Sequence, residues 1–245
     1  MSLVDSWEKQ GNYLFKYRGQ FPVLLFLIAI PFLYCTPQVD SNDQLIWNIV
    51  AVLICILGFV IRLYTIGTTP KGTSGRNTKE QIADILNSTG IYSLVRHPLY
   101  LGNYLIWIGV AIFTYNIYFI IIVTLLFWLY YERIMLAEER FLERKFGNKY
   151  LHWSNSTPAF FPSFKSFKKS SIQFSVKSVL RREYSGVLAA VIGFVFVDLV
   201  RLYIRNNNMS ISPSILKILI AISIIVFILR SLKHYTNILE EEDRS

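Results

Sequence analysis

Two stretches of this chain, Leu45–Ile66 and Gly186–Ile204, stay almost wholly apolar for the ~20 residues that a helix needs to cross a bilayer. No other feature constrains the fold as strongly. Four shorter apolar runs, Phe21–Tyr34, Leu99–Phe113, Ile117–Tyr131 and Ser214–Leu229, accompany them. The third and fourth of the six runs are separated only by Thr114–Asn116, a polar break that reads as the tip of a helical hairpin. The composition agrees, since 53% of the residues are hydrophobic and 17% charged, where a soluble domain carries about 25% charge. A disordered tail, a disulfide-rich secreted module and a collagen-like repeat are excluded. The expected fold is all-α: a multi-pass membrane helix bundle of about six spans. The first run begins after about twenty polar and aromatic residues and lacks a small-residue cleavage site, so no cleaved signal peptide is expected.

The formal net charge is +9, and its placement sets the orientation. The N-terminal segment, the connection around Arg62–Arg96, the stretch Arg133–Arg182 and the C-terminal tail hold 22 of the 25 basic residues. The alternate connections hold only Arg201, Arg205 and Lys217. Both ends are therefore expected on the cytoplasmic side of a bacterial inner membrane or endoplasmic reticulum. The same imprint accounts for the positive charge without nucleic acid, for which no soluble basic domain is present. Cys35 and Cys55 lie in apolar runs, and His97, His152 and His234 lack ligand spacing, so neither a disulfide framework nor a metal site is expected.

Two stretches on that side are much longer than a hairpin requires. The first, from Gly67 to Pro98, opens flexibly, becomes helix-friendly around Lys79–Leu86, and ends in Arg96-His97-Pro98-Leu99-Tyr100-Leu101-Gly102. Pro98 biases His97 out of the helical region, so a helix is expected to start at Pro98 with Arg96 and His97 at its N-terminus. Free amides and the positive end of the dipole favour an anionic group there; an Arg-His-Tyr belt in the headgroups is the alternative. Gly102 allows a ligand or another backbone to approach closely. The second stretch, Glu132 to Arg182, continues the preceding helix in charged form through Glu138 and Glu139 until Phe146-Gly147 stops it. Tyr150, Trp153, Pro158 and Pro162 follow in an aromatic, irregular run. The two glutamates read either as solvated helix surface paired with Arg133 or as ligands for the polar groups of a cofactor.

Together the two clusters resemble the isoprenylcysteine carboxyl methyltransferase and phospholipid methyltransferase family of integral membrane enzymes. The matching positions are Gly90, Tyr92, Arg96, His97, Pro98, Tyr100 and Gly102, then Glu138, Glu139, Leu142, Phe146, Gly147 and Tyr150. Trp153 stands where a second Tyr is usual, and the likeness covers roughly 45–162. It implies S-adenosylmethionine as methyl donor, a cytoplasmic cofactor pocket roofed by the segment after Gly147, and a lipid-like acceptor entering from the bilayer. It assigns cofactor contacts to Tyr92, His97, Pro98, Leu99, Tyr100 and Glu138, with further contacts at Asn77, Asp84, Ile85, Leu86 and Asn87. His97 and Arg133 are the expected catalytic residues, because with Arg96 they suit the steering of an anionic acceptor; there is a departure from the family, which places an acceptor-orienting Arg four residues before the first Glu, where this chain has Ile134, and Arg133 lies one residue further back.

The chemistry suits these residues. Methyl transfer from a sulfonium is an in-line displacement that needs alignment and exclusion of water, and a carboxylate or phosphate acceptor needs no strong base. On this reading the chain divides into an N-terminal segment with a first span (1–44), a methyltransferase core (45–165) and a C-terminal extension with two spans (166–245). In the extension Asp198 and Arg201 are three apart and are expected to pair on one helix face; Phe160–Phe174 mixes aromatics with lysines as a surface-lying segment would. Alternatives from other classes are a nicotinamide-dependent membrane reductase of the sterol-reductase type and a non-catalytic lipid-binding membrane protein.

Overall fold

The computed structural model describes residues 2–72, 81–207, 211–241 and 244, and among these it is a bundle of eight α-helices. They are α1 (Leu3–Lys16), α2 (Phe21–Cys35), α3 (Ser41–Gly67), α4 (Pro98–Ile112), α5 (Ile117–Phe146), α6 (Asn148–Ser156), α7 (Val176–Asn206) and α8 (Pro213–Tyr235). All six apolar runs are helical. Helices α3, α5, α7 and α8 are long and apolar enough to span a bilayer, while α2 and α4 are shorter apolar helices. Helix formation satisfies every backbone polar group within the segment, which the hydrocarbon demands.

The outward faces confirm the solvent. Helix α3 exposes Leu45, Ile49, Leu53 and Ile56, and α8 buries none of its residues while exposing Ile218, Ile224 and Phe227. In water such a belt exceeds any tolerated apolar patch; in lipid it has no penalty, because acyl chains are as apolar as leucine. This is a multi-pass membrane helix bundle.

Close packing inside the bundle therefore needs shape rather than hydrophobicity. Small residues supply it along the α3–α4 seam: a Cβ on Gly58 would stand 2.7 Å from the Gly102 carbonyl oxygen, and one on Gly109 would stand 2.7 Å from that of Ala51. Gly102 thus serves helix–helix approach rather than ligand approach. The central cluster gathers Leu25 and Ala29 from α2, Ala51 from α3, Ile108 and Ala111 from α4, Val123 from α5 and Val197 from α7.

Several elements differ from expectation for identifiable reasons. Helix α1, unforeseen, is amphipathic and closes on a capping box in which the Asp5 amide donates to Ser2 Oγ and the Ser2 amide to Asp5 Oδ2, each at 3.1 Å. The helix-friendly run around Lys79–Leu86 is not helical over its described part, residues 81–86; it lies across a cavity, burying Ala83 and Leu86. Helix α7 starts ten residues before its apolar run, in a charged turn holding Lys177, Arg181, Arg182 and Glu183. Arg201 donates to the Phe113 carbonyl and lies 3.9 Å from the Tyr115 ring centroid, feeling the charge of Asp198 without a direct ion pair. The negative end of α4 attracts it there.

Gly147 joins α5 to α6 at φ 53°, ψ −129°, a conformation that only glycine adopts without strain. Gly147→Ala is expected to destabilise this corner by ~1–2 kcal/mol and to lower the thermal midpoint in detergent. An unchanged midpoint would show that the turn bears no such strain.

Candidate functional site

The expected helix start at Pro98 is present, with His97 as its N-cap. The segment leading to it is held by backbone hydrogen bonds from the irregular chain after α6. The Arg96 amide donates to the Pro158 carbonyl at 2.9 Å and the His97 amide to that of Ala159 at 3.2 Å. Ser163 N–H donates to the Leu94 carbonyl, and Trp153 Nε1 to that of Tyr92 at 3.0 Å. Prolines and aromatics far along the chain thereby fix residues 90–97 as a rigid edge.

Opposite this edge, α5 presents Glu138 and Glu139. The His97 ring sits between them, with Nε2 2.8 Å from Glu139 Oε1 and Nδ1 3.5 Å from Glu138 Oε2. Arg96 Nε approaches the same Glu139 oxygen at 3.3 Å. Burial disfavours a charged imidazole; hydrogen bonds to Glu138 and Glu139, with their charges, outweigh it and lift the His97 pKa to about 9. His97 is therefore an imidazolium at neutral pH, both nitrogens donating. Its ring stacks on Tyr100, centroids 5.6 Å apart, and Tyr100 leads to Tyr131 at 5.0 Å.

These groups line a cavity of about 440 Å³, within the size range of small-molecule sites. Ile85, Leu86, Asn87, Tyr92, Pro98, Leu99, Tyr100 and Glu138 border it with His97, so the predicted cofactor contacts converge on one space. Two expectations do not, and a third falls on a residue that is not described. Asp84 points outward, its carboxylate 4.0 Å from Lys145 Nζ. Asn77 lies outside the described residues. Arg133 occupies another flank of α5, where Nε donates to Gln10 at 2.8 Å and the guanidinium lies 5.3 Å from the Trp7 ring centroid. One residue is 100° of helix, and that rotation carries Arg133 to α1 while buried Ile134 faces the interior.

Of the two glutamates that the sequence singles out, Glu139 makes the shorter contact with His97. The cavity also includes residues that sequence reasoning missed. Further in, Arg62 of α3 forms a fork with Glu183 of α7, Nε to Oε2 at 2.7 Å and Nη2 to Oε1 at 2.6 Å, and also donates to Asn103 of α4. An arginine inside an apolar span was the available signal, since ionisable residues at such depth mark functional interiors. Arg18 and Arg182 border the same end, and Trp107, Gly186 and Ala189 its apolar floor. At the opposite end Tyr150, 3% exposed, has a hydroxyl beside the Glu139 carboxylate that makes no well-formed hydrogen bond among the described residues. An unsatisfied buried hydroxyl is costly unless a ligand meets it.

Residues 46–149 match the phospholipid methyltransferase family profile. The chain is 35% identical over 98 residues to the nickel-cobalt-cadmium resistance protein NccN of Alcaligenes xylosoxydans xylosoxydans, covering 40% of this chain and 43% of that protein. It is 29% identical over 164 residues to the cobalt-zinc-cadmium resistance protein CzcN of Cupriavidus metallidurans, covering 65% and 70% respectively. With the protein-S-isoprenylcysteine O-methyltransferase of Tribolium castaneum it shares 28% over 120 residues, 49% of this chain and 43% of that enzyme. The match thus spans less than half the length of the first and third of these relatives. No solved structure matches. The residues that converge on the cavity from α4 and α5 lie within the matched region, and through that core the chain is similar to the phospholipid methyltransferase family and to protein-S-isoprenylcysteine O-methyltransferases.

Proposed function

We propose that this protein transfers a methyl group from S-adenosylmethionine to an oxygen of a membrane lipid or lipidated acceptor. The observation that carries the reading is the buried His97 held between Glu138 and Glu139 at the wall of a cavity whose far end runs into the apolar bundle. When bound, S-adenosylmethionine supplies a methyl group on a positively charged sulfonium.

The chain's residues fit such a group. Glu138 and Glu139 place carboxylates where a cation would be drawn, and Tyr92, Trp153, Leu86 and Pro98 offer an aromatic and apolar surface for a nucleoside. Tyr150 offers its unsatisfied hydroxyl. His97, with both nitrogens committed and its proton held to about pH 9, is not a general base at neutral pH. It acts as a positioning residue that neutralises and aims the two carboxylates. The in-line displacement needs alignment and a dry site more than proton transfer, and the chain from Trp153 to Ser163 closes over the cavity edge to provide the latter. Arg133 ties α1 to α5 on the outside of this arrangement. By the distribution of basic residues, the cavity opens to the cytoplasm.

The test is a titration of S-adenosylmethionine into the purified full-length protein, following intrinsic Trp fluorescence. Saturable binding is expected, weakened at least tenfold by Glu138→Ala and by His97→Ala. Absence of saturation, or affinity indifferent to both changes, would overturn the assignment.

A further inference from the structure

A second groove, of about 590 Å³, lies on the outside of the bundle between α1 and α5. Each helix gives it one face: Leu126, Leu129 and Arg133 follow at i, i+3 and i+7 along α5, and Lys9 and Tyr13 stand four apart on α1. The two backbones are in close contact here. A Cβ on Gly11 would collide with the Arg133 carbonyl, and the Tyr130 hydroxyl donates to the Leu14 carbonyl at 2.8 Å. The groove is thus a fixed feature of the packing.

Its polarity is sorted by depth. Leu126 and Leu129 belong to the apolar run of α5, whereas Arg133 lies seven residues from Leu126, about 10 Å of helix rise, and just beyond the end of that run at Tyr131. On α1 the exposed rings of Tyr13 and Tyr17 pair with centroids 4.9 Å apart, and tyrosines gather at headgroup level. The groove therefore runs from the hydrocarbon to the interface, with its cations at the polar end.

No carboxylate lines it among the described residues. On α1, Asp5 is held in the capping box, and Glu8 turns to Arg144 at 2.6 Å and Arg140 at 3.9 Å. On α5, Glu132 is 100° of helix away from Arg133 and does not line the groove. Arg133 donates through Nε to Gln10 and through Nη1 to the Leu129 carbonyl at 2.6 Å, while Nη2 has no acceptor among the described residues. Lys9 is exposed and makes no ion pair among the described residues. Two cations above leucines suit an anionic phosphodiester on acyl chains. The ammonium of a zwitterionic lipid would meet the same two cations unfavourably.

We infer that the α1–α5 groove is a binding site for an anionic phospholipid, its phosphate held by Lys9 and Arg133 and its upper acyl chain lying along Leu14, Leu126 and Leu129. Another face of α1 carries Phe15 to the cavity described above, so a lipid in this groove braces one wall of that cavity. Binding here involves no methyl donor, and the inference stands apart from the methyltransferase reading.

The experiment mixes delipidated full-length protein in neutral detergent with phosphatidylglycerol or phosphatidylcholine and counts bound lipids by native mass spectrometry. At the tightest site phosphatidylglycerol is expected to bind about tenfold more tightly. Lys9→Glu should abolish that preference without shifting the lipid-free thermal midpoint, since Lys9 has no partner to lose. Arg133→Gln should weaken phosphatidylglycerol at least fivefold, and Arg133→Lys should restore part of the loss. Glycerol 3-phosphate should not compete, because it lacks the chains that meet the leucines. Lys165→Glu, an exposed charge on the turn Phe164–Ser166, is the control and should leave the preference intact. Equal affinity for the two lipids, or equal loss in the Lys165 variant, would show attraction to diffuse positive charge and overturn the site. Competition by glycerol 3-phosphate overturns the lipid as its occupant. A lipid-free dimer that Lys9→Glu dissociates overturns it too, assigning the groove to a second copy of the chain.

Discussion

Exchanging Glu139 for Gln is expected to lower the His97 pKa from about 9, with Glu138 still holding part of the rise. The carboxylate 2.8 Å from Nε2 is its shorter partner, and without that charge burial presses towards the neutral ring. The sign of the stability change follows by linkage. A group whose folded pKa is raised contributes stability that is complete below 6.5 and is lost as pH rises through about 9. Wild-type protein should therefore lose thermal stability between pH 6.5 and 9, and Glu139→Gln should show a shallower slope. At pH 7 the variant also leaves Arg96 and His97 without their shared anion. Removing one partner of a buried pair costs ~3 kcal/mol. Donor affinity should fall at least tenfold, because Glu138 loses the aim that His97 provides. Detergent-phase unfolding across that pH range, with imidazole titration by NMR, checks the point. A His97 that titrates near 6.5 in the unaltered protein would sink it.

Placing a leucine at Gly58 is expected to abolish accumulation of folded protein. Its Cβ alone would lie 2.7 Å from the Gly102 carbonyl oxygen and 2.9 Å from the Ile106 amide nitrogen, both backbone atoms that can move only with their helix. Overpacking costs ~1–3 kcal/mol where side chains yield, and more is expected where α3 must separate from α4. The seam also supports the cavity, since Arg62 lies one turn from Gly58 and a Cβ on Gly102 would reach within 2.5 Å of Arg62 Cγ. Gly102→Ala should therefore disturb Arg62 before it unfolds the bundle, raising acceptor KM more than it lowers the thermal midpoint. Leu53→Ala, on the lipid-facing side of α3, is the control and should cost little. Size-exclusion profiles and thermal midpoints in detergent distinguish these outcomes. A well-folded Gly58→Leu protein would mean that the two helices do not pack through this seam.

The helices were legible in the sequence to different depths. Membrane spans announce themselves because lipid demands a long apolar run and a backbone satisfied within it; all six apolar runs are helical, and four of those helices are long enough to span a bilayer. The α4 start at Pro98 and the α5 end at Gly147 were legible because proline and glycine act through their own backbone. Helix α1 was missed although Ser2 and Asp5 spell its capping box, because a helix with polar faces lacks a strong apolar signal.

What the sequence determined by itself was local: an all-helical membrane bundle, the helix boundaries at Pro98 and Gly147, and the two motif clusters that converge on one cavity. The tertiary structure decided which charges share that cavity. It carried Arg133 to α1, set Glu139 against His97, and brought Glu183 across 121 positions to Arg62. Side-chain direction turns 100° with each helical residue, and partners so far apart in the chain meet only once the helices pack, so no local pattern encodes them.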